Sequence, residues 1–131
     1  MSLTTLNLKE EAKSIWSIIE DYVDKPLSIS EYRKLLKKLK ENGYTVKRRW
    51  LGTKYSGGLT INEKAISKGF QEIIYKIIVE KDNTPIYILY VEKITDLDTG
   101  KTEYIIPMWF GPTELKEAKV YEKLIILPRF K

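Results

Sequence analysis

Cysteine and histidine are both missing from this 131-residue chain. Without them there is no disulfide framework, no thiolate nucleophile, no Ser-His-Asp triad and no His/Cys zinc site. Any catalysis would rest on carboxylates, lysine, tyrosine, serine or threonine, with a hard cation held by oxygen ligands. Side-chain amides are scarce too: Gln71 is the single glutamine, and four asparagines stand beside many Ile, Lys, Glu and Tyr. Proteins of very hot environments lean this way, because Lys and Glu build surface ion-pair networks while thermolabile side chains are avoided; an AT-rich genome gives a similar bias. No uncharged apolar run approaches the roughly 18 residues of a membrane span. Met1–Thr5 lacks the basic segment and apolar stretch of a signal peptide, and the first apolar-periodic segment carries Glu10, Glu11, Glu20, Asp21 and Asp24. These absences predict an intracellular protein with no membrane partner.

What is present fits one folded unit. Hydrophobic residues make up 43% and charged residues 31%, the balance of a globular chain, and this length has room for a single core. The expectation is one α+β domain over residues 1–131: two N-terminal helices packed on an antiparallel sheet of four to five strands arranged as a meander.

Leu8, Ala12, Ile15, Trp16, Ile19, Tyr22 and Val23 recur at spacings of three and four, which predicts a first helix with Asn7 as its cap and Pro26 as its stop. Ser28 with Glu31 has capping-box spacing ahead of a stripe of Ile29, Tyr32, Leu35, Leu36 and Leu39, and Asn42-Gly43 offers a left-handed exit. From Tyr44 the period switches to two: Tyr44, Val46, Arg48 and Trp50 alternate with Thr45, Lys47, Arg49 and Leu51. Residues 52–58 hold the Gly and Ser of a turn, with a short return at Leu59–Ile61. Residues 62–69 read equally as one or two helical turns or as a loop.

The rest reads as strands at Gln71–Lys81, Ile86–Ile94 and Thr102–Phe110, separated by Asp82-Asn83-Thr84-Pro85 and Asp98-Thr99-Gly100. Pro107 cannot donate to a ladder, so its strand is an edge or is bulged there. Thr113–Leu124 reads as a helix with Leu115, Ala118, Tyr121 and Leu124 inward before an extended Ile125–Pro128, or alternatively as a strand from Lys119. The run from Ile86 to Val91 is apolar on both faces, so both must be covered. The N-terminal helices serve one; the C-terminal segment or a second copy, as in a homodimer, serves the other.

Charge is concentrated. Residues 25–58 carry ten bases against Glu31 and Glu41, whereas residues 59–131 carry eleven bases and eleven acids. Arg33, Lys34, Lys37, Lys38 and Lys40 lie opposite the leucines of the second helix; Lys47, Arg48, Arg49 and Lys54 follow, with Trp50 and Tyr55 among them. A polyanion is drawn to such a surface, and exposed aromatics stack on nucleobases. The candidate interface is therefore Arg33, Lys34, Lys37, Lys38, Lys47, Arg48, Arg49, Trp50, Lys54 and Tyr55. It predicts non-enzymatic, largely sequence-independent nucleic-acid binding; the alternative is a protein-interaction module that occupies an acidic partner. The same residues also read as solvated helix surface plus a core aromatic.

Other groupings carry less chemistry. Asp96, Asp98 and Glu103 have the wrong spacing for an EF-hand, and Asp98-Thr99-Gly100 is better read as a turn. Glu80-Lys81 and Glu92-Lys93 lack the acid-x-Lys spacing of metal-dependent nucleases, and Gly57-Gly58 lacks the Lys-Ser/Thr ending of a phosphate loop. Nothing calls for a cofactor or a resident metal. Met108-Trp109-Phe110-Gly111-Pro112, the densest aromatic cluster, suits a core edge or an interface.

Two resemblances follow. Residues 28–61, a capped leucine-striped helix, Gly43, a basic strand and a Gly-rich return, look like the last helix and wing of a winged-helix DNA-binding domain, which implies duplex contact through that helix. The small size, hot-type composition, absent catalytic equipment and αα-β-meander layout resemble the small orphan proteins of crenarchaeal rod-shaped viruses. This implies a role in host takeover, genome handling or defence evasion, and carries over no functional residue.

Overall fold

The computed structural model describes residues 5–130; Met1–Thr4, read above for a signal peptide, and Lys131 lie outside the described residues. α1 spans Thr5–Ile19. Asn7 therefore sits inside the helix rather than capping it. The helix stops at Ile19, well before Pro26, because the sheet edge claims the next backbone groups: the Asp24 N–H donates to Ile106 O at 2.9 Å and the Leu27 N–H to Tyr104 O at 2.7 Å. Leu27 and Tyr104 form an isolated antiparallel bridge.

α2 spans Ile29–Glu41 and begins with the expected reciprocal cap. The Glu31 N–H donates to Ser28 Oγ and the Ser28 N–H donates to Glu31 Oε1, both at 3.1 Å, which satisfies two donors the helix start would otherwise leave free. Gly43 leaves the helix at φ 90°, a conformation that carries no Cβ penalty for glycine.

β1 runs from Thr45 to Ser56, so residues 52–56 continue the strand instead of turning the chain. Leu51 is the extra residue of a bulge between Trp50 and Gly52. β2 (Leu59–Ile61) and β3 (Lys64–Ser67) pair with each other around Asn62 and Glu63, both at positive φ, so most of the undecided 62–69 stretch is a hairpin. β4 (Phe70–Lys81), β5 (Thr84–Asp96) and β6 (Thr102–Phe110) follow as a meander, and the β4–β5 turn is Asp82-Asn83, again with two positive φ angles.

The main sheet has the order β1-β4-β5-β6, with every neighbouring pair antiparallel. The chain is an α+β fold. β6 is an edge strand, and its register with β5 shifts across the Pro107 region, so both expected consequences of that proline occur together. The wing expected by likeness to a winged helix is absent: β1 pairs with β4, and the Leu59–Ile61 return pairs with β3.

α1 and α2 cover part of one sheet face, burying Ile15, Ile19, Leu35 and Leu39 against Ile77, Val79, Leu89 and Ile106. Tyr32 of α2 stacks on Tyr104 at 4.2 Å between ring centroids. The chain's own C-terminal segment covers the other face. After a 3₁₀ turn at Pro112–Glu114 it runs as α3 (Leu115–Tyr121), a π-helical turn (Glu122–Ile126) and α4 (Leu127–Arg129). Residues 125–128, expected to be extended, are thus helical. Ala118, Ile126 and Phe130 pack against Ile74 and Tyr90, while Leu124, expected inward, is exposed. The π turn inserts a residue into the helical phase and turns Ile126 inward in its place. Of the two occupants expected on this face, the C-terminal segment is the one seen. Among the described residues no helix is long and apolar enough to cross a membrane.

A candidate nucleic-acid interface

The helix-covered face has a second, uncovered half, built by strand alternation. On β1, Arg48 and Trp50 point to it, and the Leu51 bulge keeps Thr53 and Tyr55 on the same side. The register places Gln71 and Ile73 of β4 opposite them, then Lys93 and Thr95 of β5 and Thr102 of β6, while Tyr75 and Tyr104, buried against Tyr32 of α2, mark the border with the covered half. Trp50 is 64% and Tyr55 67% exposed. Each ring is held by its polar end: Trp50 Nε1–H donates to Thr53 Oγ1, and Gln71 Nε2–H to the Tyr55 hydroxyl, both at 3.0 Å. Two flat rings thus stand at fixed positions on an open sheet.

The charges sort by face. Every carboxylate of the four sheet strands, namely Glu72, Glu80, Glu92, Asp96 and Glu103, alternates to the opposite side, with Ile74 and the C-terminal segment. There the acids are largely neutralised. Arg129 pairs with Glu92 and lies 3.8 Å from Glu72; Lys54 is 3.3 Å from Glu72 and Lys47 3.0 Å from Glu80. Lys76, also on that side, pairs with Glu122 of the C-terminal segment at 3.0 Å, and Glu122 accepts the Tyr90 hydroxyl at 2.9 Å. On the open side, Arg48 and Lys93 enter no ion pair among the described residues, and the Arg48 guanidinium lies 5.5 Å over the Tyr75 ring.

Arg48, Trp50, Ile73, Tyr75 and Lys93 line a cleft of about 230 Å³. That is smaller than the roughly 300–1,000 Å³ of a drug-sized ligand site. The hydroxyls of Tyr75 and neighbouring Tyr32 are buried and interact with each other. Burial pushes both above the ordinary tyrosine range, Tyr75 the further, so each stays protonated.

The ten residues singled out from the sequence do not form one surface. Arg48, Trp50 and Tyr55 come together on the open half. Lys47, Arg49 and Lys54 alternate to the opposite side, where Lys47 and Lys54 are held by glutamates. On α2, Lys38 lies 5.2 Å over the Tyr22 ring and so faces the α1 side. Steps of about 100° per residue set Arg33 on the flank away from Tyr22, Lys37 on the outer face, and Lys34 only about 40° from Lys38. Lys37 is 3.7 Å from Glu41, an exposed pair of little energetic weight. Lys93 was missed: its own segment is charge-balanced, and only the β4–β5 register brings it across from Ile73.

The acidic turn is not a cation loop. Asp98 accepts from the Lys68 N–H at 3.0 Å and from Ser67 Oγ–H at 2.8 Å, bonds that hold its carboxyl below the usual range. Asp96 accepts from the Asp98 and Thr99 N–H groups of its own turn. Among the described residues no three carboxylates gather as a metal-holding group. The aromatic cluster is divided: Trp109 packs on Trp16 at 5.6 Å, and Phe110 on Tyr90 at 5.9 Å on the opposite face. No protein-family model matches the chain, and neither a curated protein nor a solved structure does.

Proposed function

We propose that the protein binds nucleic acid without enzymatic chemistry, through the open half of the helix-side sheet face and the adjoining basic flank of α2. The observation that carries this reading is the division of charge: the strand carboxylates lie on one face, and the other presents Arg48 and Lys93 unpaired beside Trp50 and Tyr55. Cations facing water beside flat rings suit phosphates joined to bases, and the polar side chains of that face, Thr53, Gln71, Thr95 and Thr102, are engaged with the rings or with one another rather than set out to read one sequence.

Salt titration of oligonucleotide binding tests it. Each phosphate contact contributes about 0.7–0.9 to the slope of log affinity against log salt. Arg48→Ala and Lys93→Ala each reduce the slope by about that amount. Lys47→Ala, on the opposite face and already paired with Glu80, leaves it unchanged. A salt-independent affinity, or a slope lowered equally by all three, overturns the reading.

A second reading, a protein-interaction module, draws on a different observation. Val120, Leu124, Ile125 and Leu127 are each more than 40% exposed on the outer side of the C-terminal segment. Neighbouring exposed large apolar residues mark protein contacts. An acidic partner satisfies the α2 cations in this reading, and its complex survives nuclease treatment but is lost on Arg33→Glu.

A further inference from the structure

We infer that the open sheet half selects single-stranded over double-stranded nucleic acid, with one unstacked base entering the cleft between Trp50 and Tyr75 and the adjacent phosphates on Arg48 and Lys93. The inference rests on the nucleic-acid reading above and adds the form of the ligand.

Three features carry it. First, the binding surface offers ring faces, and a base can stack on a protein ring only if its own face is free. In a duplex both faces are taken by neighbouring bases, whereas a single strand can present them. Second, the rings are spaced for an opened strand. Trp50 pairs with Tyr75 and Tyr55 with Gln71, four register steps apart, or about 13 Å at the rise of a β-strand. Bases stacked at about 3.4 Å per step cannot have two immediate neighbours on those two rings. Third, the cleft beside Trp50 is lined by the Tyr75 ring and by two cations, Arg48 and Lys93. At about 230 Å³ it has the size of one base, not of a paired duplex step.

Sugar identity is not set by stacking, so DNA and RNA share the relevant chemistry, and both are used in the test. Fluorescence anisotropy compares oligothymidylate, oligouridylate and the duplex of the same oligothymidylate with its complement, for the parent protein, Trp50→Ala, Tyr55→Ala and Tyr75→Phe. Circular dichroism confirms that each variant is folded. The expected result is single-strand binding about tenfold or more tighter than duplex binding, a loss of similar size in Trp50→Ala, and duplex binding unchanged by that substitution. Tyr75→Phe keeps the ring that lines the cleft and leaves single-strand and duplex binding unchanged. Trp50 emission also changes on binding, read as the difference between the parent and Trp50→Phe, because Trp16 and Trp109 pack together on the α1 side. Tight binding of only one of the two single strands supports the inference and names the sugar. Equal affinity for duplex and single strand, with the salt slope retained, overturns the inference and leaves the nucleic-acid reading standing. Binding to none of the three overturns both.

Discussion

Gly52 lies against Phe130: a Cβ built on Gly52 would stand 2.9 Å from Phe130 Cβ, closer than two such atoms approach. The glycine is thus a contact point between β1 and the end of the chain. Leu51 bulges just before it, and Lys54 lies 5.2 Å over the Phe130 ring just after. The contact closes the C-terminal cover of the sheet at the β1 edge, on the side opposite the open platform.

Gly52→Ala therefore overpacks the site and lowers stability by about 1–3 kcal/mol, measured by urea unfolding. In a Phe130→Gly background the obstructing Cβ is gone, and the same substitution costs under about 0.5 kcal/mol. If the two changes are additive, the glycine is needed for some reason other than Phe130.

A second prediction concerns acid. Glu11 of α1 accepts from Lys81 Nζ at 2.6 Å and from the Tyr44 hydroxyl, fastening the first helix to the end of β4. Lys81 first, and Tyr44 next, hold the Glu11 carboxyl below its ordinary 4.5. A carboxyl with a depressed value in the folded state stabilises fully above the ordinary value, and that contribution is lost as pH falls through the depressed one. Glu11→Gln is accordingly about 1 kcal/mol less stable than the parent at neutral pH, and the gap narrows below pH 4.5. Urea midpoints across a pH series check this; a gap of constant size removes Glu11 as its source.

Local chemistry was legible from the sequence at several places where a single segment decides the outcome, though not at Asn7 and Pro26, which neither cap nor stop α1. The Ser28–Glu31 cap, the Asp82-Asn83 turn and the consequences of Pro107 depend on a few adjacent residues, and all appear. What failed depends on phase. The Leu51 bulge carries β1 past Gly52 with Thr53 and Tyr55 on the face of Trp50, and no residue pattern in the strand announces it. Likewise Arg48 and Arg49, adjacent in one basic run, are sent to opposite faces. The cation that joins Arg48 on the platform, Lys93, is forty-five positions later and is found only through register. A run of like charges in sequence was thus a poor guide to a charged surface, because a strand divides such a run between its two sides.

The C-terminal segment offers the sharpest contrast between pattern and phase. Ordinary helical spacing from Ala118 and Tyr121 makes Leu124 the next inward residue, but the π turn at Glu122–Ile126 delays that position, so Leu124 is 64% exposed and Ile126 is 2% exposed. The delay also has an anchor. Glu122 is drawn to Lys76 and the Tyr90 hydroxyl, and that hydroxyl also lies 3.1 Å from Ala118 O, an alternative acceptor within the same helical stretch. Leu124→Lys should change stability by less than about 0.5 kcal/mol, while Ile126→Ala should cost about 2–5 kcal/mol. The reverse order, read by thermal or urea unfolding, would put the segment back on a regular α-helical phase. Glu122→Ala, which removes the anchor, should lower stability by about 1–3 kcal/mol, because Lys76 and Tyr90 lose their common partner beneath the C-terminal cover.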